Sequence, residues 1–113
     1  MRSSQIKDLY SKYAREHIHR AFFMSSAWMI KGYDDYKVIL SDPDTPSRRR
    51  AIMARNIRII DAAAANIPKE YRQAILDKLK YSRPLPPYDK KIKRHLVDFI
   101  VEVSDGIIDS LPV

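Results

Sequence analysis

The sequence predicts an all-α fold, a single bundle of four to five helices in one domain. Three observations predict it. Apolar side chains recur at spacings of three and four, the helical period, through most of the 113 residues. Alternation of the strand type never lasts more than a few residues. Two glycines also leave little material for tight β-hairpins. A chain of this length holds one core and buries roughly two-thirds of its unfolded surface, so it needs no covalent staple. The mixture of 45% hydrophobic and 31% charged residues is that of an ordinary globular protein rather than a disordered one.

The elements follow in order. A long first helix is predicted over residues 4–31, because Ile6, Leu9, Tyr10, Tyr13, Ile18, Ala21, Phe22, Ser25, Trp28 and Met29 keep the period. Ser3 or Ser4 supplies an N-cap hydroxyl. Gly32 interrupts, and Tyr33, Tyr36, Ile39 and Leu40 carry a short helix over 33–41. Pro43 and Pro46, interleaved with Asp42, Asp44 and Thr45, break the chain. Ser47 is the cap expected for a helix over 47–66, with Ile52, Met53, Ile59, Ile60, Ala63 and Ile67 on one side. Pro68 suits the first turn of a helix over 68–81, whose Tyr71, Ile75 and Leu79 face inward. Residues 83–88 hold three prolines and cannot propagate a helix. The last helix, over 89–110, is capped by Asp89 and carries the strongest stripe: Ile92, Leu96, Phe99, Ile100, Val103, Ile107 and Leu111.

The net charge of +7 is unevenly placed. Residues 1–47 hold seven basic and six acidic side chains, residues 48–94 fourteen and four, and residues 95–113 four acids with no Lys or Arg. Arg48, Arg49 and Arg50 open one helix, followed by Arg55 and Arg58. Lys90, Lys91, Lys93 and Arg94 open the last. Cations at a helix N-terminus oppose the macrodipole at a cost of a few tenths of a kcal/mol each. A sequence shaped for stability alone would place them in the last turn. DNA phosphates reward such exposed cations by counterion release, which makes a polyanion the expected partner. The bland reading is a solvated basic surface that keeps the protein soluble.

Most catalytic chemistry is excluded. The absence of cysteine removes disulfides, thiolate zinc sites, iron–sulfur clusters and a thiol nucleophile. His17 and His19 lie about 200° apart on a helix and do not share a metal there. His95 has no local ligand partner. Asp34, Asp35, Asp42 and Asp44 lack the offsets and the glycine of a calcium loop and suit caps and turns. Ser25 and Ser26 have no nucleophile-elbow setting, no phosphate-binding loop exists, and Glu16, Glu70 and Glu102 are scattered. The expectation is a protein without enzymatic activity, cofactor, metal or small-molecule substrate. No run approaches the ~20 apolar residues of a membrane span, and no secretory leader is evident, so the expected location is the cytoplasm.

Aromatic residues crowd the N-terminal third. Phe22 and Phe23 are adjacent and do not share one narrow stripe. Phe22, Phe23, Trp28 and Tyr33 are therefore expected to contribute to packing against a second copy of the chain, a homodimer that suits a palindromic site.

The run from Ile60 through Asp61, Ala62, Ala63, Ala64, Ala65, Asn66, Ile67, Pro68, Lys69, Glu70, Tyr71 and Arg72 to Leu76 resembles the core of small phage and prophage proteins of Firmicutes. These are similar to the ArpU/RinA late-transcription regulators and to region 4 of sigma factors. The segments around Trp28 and from Tyr81 to Ile100 resemble the upstream aromatic segment and the final helix of such proteins. The resemblance implies a helix-turn-helix-like module in the C-terminal half, with the start of the last helix as recognition element. Lys90, Lys91, Lys93, Arg94 and His95 would then meet double-stranded DNA, with Arg72, Lys78 and Lys80 on phosphates. Arg48, Arg49, Arg50, Arg55 and Arg58 form a second basic face that is also expected to bind the DNA. The chain departs from the pattern at 83–88, where a six-residue, three-proline loop replaces a short helix and compact turn, so the module is degenerate. The alternative is a small interaction protein, such as a phage-encoded inhibitor or polymerase regulator, that docks an acidic protein surface.

Overall fold

The apolar stripe of the last helix organises the molecule. The computed structural model describes residues 3–87 and 89–111, and all of its regular structure is helical. Helix α1 spans Ser3–Leu9 and continues as a wide π turn over Tyr10–Ala14. Helices α2 (Arg20–Lys31), α3 (Tyr33–Ser41), α4 (Ser47–Ala64), α5 (Lys69–Tyr81) and α6 (Lys90–Asp109) follow. The expected all-α class stands, with six helices among the described residues instead of four to five. The side chain of Ser3, one of the two expected caps, and Tyr88 of the proline loop lie outside the described residues.

On α6, Ile92, Leu96, Val97, Phe99, Ile100 and Val103 are buried. They pack among α2, α4, α5 and the π turn, so this helix is covered on several sides. Phe23, Ala27 and Ile30 from α2, Ile60 and Ala63 from α4, and Ile75 and Leu79 from α5 complete the core with Ile6 and Ala14. Asp89 caps α6 as expected: its carboxylate accepts from the amides of Lys91 and Ile92 at 3.0 and 3.4 Å. Helix α4 runs antiparallel to α6. Asn66 donates to Glu102 at 3.0 Å, and Ile59 lies so close to Gly106 that a Cβ there would come within 2.7 Å of its methyl.

The helix predicted over 4–31 is broken at residues 15–19. A continuous helix of that length would be about 42 Å long, close to the 46 Å longest extent of the whole molecule. The break lets α2 fold back onto α1 and the π turn. The carbonyl of Ala14 accepts from the amides of both His17 and Ile18, and the Tyr10 hydroxyl donates to the Ile18 carbonyl at 2.8 Å. His19, extended at ψ 140°, caps α2 by accepting the Ala21 amide on its Nδ1. The inward face of α2 is also one residue out from expectation: Phe23, Ala27 and Ile30 are buried, while Phe22 and Trp28 are about half exposed. Two helix starts also differ by one position: Pro46 caps α4 and the expected cap Ser47 is its first residue, while Pro68, expected in the first turn of α5, is its cap. At the other end of α5, Ser82 takes a left-handed conformation (φ 58°) that turns the chain into the proline loop.

Ser104 is buried on α6, and among the described residues its hydroxyl has no hydrogen-bond partner. Removing an unsatisfied hydroxyl relieves its desolvation, whereas removing a core ring leaves a cavity. Ser104→Ala is therefore expected to hold or raise stability by up to ~1 kcal/mol, and Phe99→Ala to lower it by about 3–5 kcal/mol. Urea denaturation midpoints of the two variants check this pair.

Candidate functional site

The basic residues singled out by the sequence separate into three groups, and their positions explain the separation. The first group is structural. Arg50 leaves the start of α4 and reaches the C-terminal end of α3, donating to the carbonyls of Leu40 (2.8 Å), Thr45 (3.2 Å) and Asp42. Arg72 does the same for α4, donating to the carbonyls of Ala65 and Ile67, both at 3.1 Å. A helix C-terminus carries unpaired carbonyls and the negative end of the dipole, so a cation there is stabilising. Backbone carbonyls take up the Nε and both amino groups of Arg50 and one amino group of Arg72, whose buried Nε has no hydrogen-bond partner among the described residues, so the structure gives both arginines a capping role. His95 is half buried and stacks on the Tyr71 ring at 5.2 Å and 28°, which joins α5 to α6. Arg55 is half buried and donates to its neighbour Asn56.

Lys80 belongs to a second cluster. It pairs with Asp34 at 3.2 Å and lies over the rings of Tyr33 and Tyr81 at 5.0 and 5.1 Å. Burial opposes its charge, but hydrogen bonds to Asp34 and Tyr81 outweigh this and its pKa is raised. The Tyr81 hydroxyl donates to Asp34, and this bond, with Lys80 beside it, holds the carboxyl below its ordinary pKa. Tyr33 donates to Asp61 at 2.6 Å, and burial with that bond raises its phenol. Lys80 and Tyr33 thus fasten α3, α4 and α5 together. Of the other residues expected at an interface, Phe23 is fully buried in the core against Tyr10 and is removed from any interface. Phe22 (46% exposed) and Trp28 (47%) remain on the surface, with Lys31 over the Trp28 ring at 4.9 Å.

The third group is exposed. Lys90, Lys91, Lys93 and Arg94 face solvent on the first turns of α6, and Arg48, Arg49 and Arg58 do so on α4. They do not form one surface. From the level where Ile59 meets Gly106, Arg48 lies about 16 Å one way along α4 and Lys90 about 24 Å the other way along α6. The two runs therefore sit on the order of 30–40 Å apart, at opposite ends of the bundle. Arg58 instead faces Glu102, Asp105 and Asp109 across a cleft of about 400 Å³ between α4 and α6.

At the α6 N-terminal end, Lys93 and Lys78 meet Lys12 from the π turn around an open groove of about 740 Å³. Leu9, Leu85 and the loop prolines 84, 86 and 87 line it, and Asp8 is its single acid. Lys12 carried no signal in the sequence, since only the fold-back of the N-terminal segment brings it to α6. Among the described residues no group of three His, Asp or Glu is placed to hold a metal ion, and no helix is long and apolar enough to cross a membrane. No protein-family model, curated protein or solved structure matches this chain.

The division into structural and exposed arginines is measurable on neighbours. Arg50→Ala strips three bonds from the end of α3 and is expected to cost about 2 kcal/mol. Arg49→Ala, one residue away and exposed, should stay within ~0.5 kcal/mol of the parent. Chemical denaturation with an unchanged m-value is the readout.

Proposed function

We propose that the chain is a non-enzymatic, phage- or prophage-type regulator that binds double-stranded DNA in the cytoplasm through the first turns of α6. The observation that carries the reading is the state of four cations. Lys90, Lys91, Lys93 and Arg94 are all exposed, and among the described residues their nearest ion-pair acid is Asp98, 4.0 Å from Arg94. They crowd the positive end of the helix dipole, an arrangement that costs stability in the free protein and that phosphates would repay.

The mode this supports is contact with the phosphate backbone. Helices α5 and α6 are separated by residues 82–89, longer than the three- to four-residue turn of a helix-turn-helix. The motif is degenerate, and contacts from its last helix position the protein more than they read bases. Arg48 and Arg49, at the far end, form a separate basic pair. A second reading, docking of an acidic protein surface, draws on the groove beside Lys93: its two leucines and its prolines offer apolar contact that phosphates do not use.

Fluorescence anisotropy with a random-sequence duplex distinguishes these readings. The parent protein is expected to bind at ~50 mM salt with an affinity that falls steeply as salt rises. Replacing Lys90, Lys91 and Arg94 together by Ala removes up to three phosphate contacts, so the slope of log K against log salt should shrink by about 2–3. A parent protein that fails to bind at low salt, or a triple variant with an unchanged slope, overturns the DNA reading.

A further inference from the structure

Helix α6 carries opposite charges at its two ends. At the first, Lys93 joins Lys12 and Lys78 around the proline-lined groove, against the single acid Asp8. At the other, Asp105 and Asp109 stand exposed beside Glu102, against the single arginine Arg58. Among the described residues neither Asp105 nor Asp109 takes part in an ion pair. The same last turns expose aliphatic surface: Ile108 is 39% and Leu111 50% accessible. One end thus carries a basic, partly apolar recess and the other an acidic, partly apolar surface.

These two patches complement each other in charge and in character, and a single chain is unable to bring them together. They are held apart by the rigid α6 itself, about 30 Å long for its 20 residues. We propose that the acidic, aliphatic end of α6 in one protomer docks into the lysine-rimmed groove of a second copy of this chain. Asp105 and Asp109 then meet Lys12, Lys78 and Lys93, while Ile108 and Leu111 cover Leu85 and the loop prolines. The lone opposite charges, Arg58 and Asp8, face one another across the same contact.

Because the two surfaces differ, the contact is heterologous: it propagates head to tail into open chains or a ring, not into a two-fold dimer. One helix end in one groove covers much less than the ~800 Å² per partner of a stable interface, so the association is weak and strongest at low salt. It repeats the exposed cations of Lys90, Lys91 and Arg94 along the assembly. Those three residues do not line the groove. The DNA proposal is tested on them alone, so each proposal can fail without the other.

Analytical ultracentrifugation up to ~0.5 mM protein at ~50 mM salt provides the test. The parent protein should show a mass that climbs with concentration and falls back with added salt. Lys78→Glu/Lys93→Glu and Asp105→Lys/Asp109→Lys should each weaken self-association at least ~10-fold, since like charges then face across the contact. Mixing the two variants gives the sharpest outcome. The intact acidic end of the first fits the intact groove of the second, and the two reversed surfaces are again opposite in charge, so the mixture should recover the association that each variant alone has lost. That recovery also shows that both variants are folded. A parent protein that stays monomeric throughout, association that survives either reversal, or a mixture that associates no better than the separate variants would overturn the proposal.

Discussion

Everything else in the molecule rests on the burial of one stripe along α6. Ile92, Leu96, Phe99, Ile100 and Val103 are within 2% of full burial, and Val97 widens the stripe toward its flank. At about 1.5–3 kcal/mol for each large apolar side chain removed from water, this one helix accounts for a large share of the driving force. Its neighbours follow from it. The N-terminal segment folds back so that Ala14 and Phe23 reach the core that α6 organises, and α4 comes close enough to its far end that Gly106 has room for no side chain. The exposed face of α6 is left free to carry charge, basic at the start and acidic at the end, which is the reverse of what the helix dipole favours.

The dipole also sorts the arginines. Arg48, Arg49 and Arg50 are three consecutive cations at one helix start, and chain position alone gives them one meaning. In space Arg50 belongs to the end of α3, where it satisfies carbonyls that would otherwise face water or nothing. Arg72 closes α4 in the same way. A cation near an N-terminus in sequence can thus be a C-terminal cap of the preceding helix in space. The cations of α6 have no such helix end to serve. That difference leaves them as the stronger signal for an anionic partner.

The helical class and the stripe of α6 were legible because a period of three and four persists there over some 20 residues, with Asp89 as a clear cap. The starts of α4 and α5 were legible to within a residue or two because prolines mark them. The break at 15–19 was not. It holds no glycine or proline, and its apolar spacing runs on in helical phase. What breaks the helix is tertiary: the Tyr10 hydroxyl on the Ile18 carbonyl and the packing of Tyr10 against Phe23. The inward face of α2 was ambiguous for a related reason, since Phe22 and Phe23 are equally apolar and only the fold decides which turns in. The groove was invisible in sequence because Lys12, Lys78 and Lys93 come from three distant segments. The cations at the start of α6, by contrast, could be read directly.

Native-state hydrogen exchange followed by NMR tests most directly whether α6 is the element on which the rest depends. The account predicts that the amides of Phe99, Ile100 and Val103 exchange only through global unfolding and so report the full unfolding free energy. The amides of α1 and the π turn should open at lower cost, with α6 still protected. Exchange of the α6 amides ahead of those in α4 or α5 would contradict it.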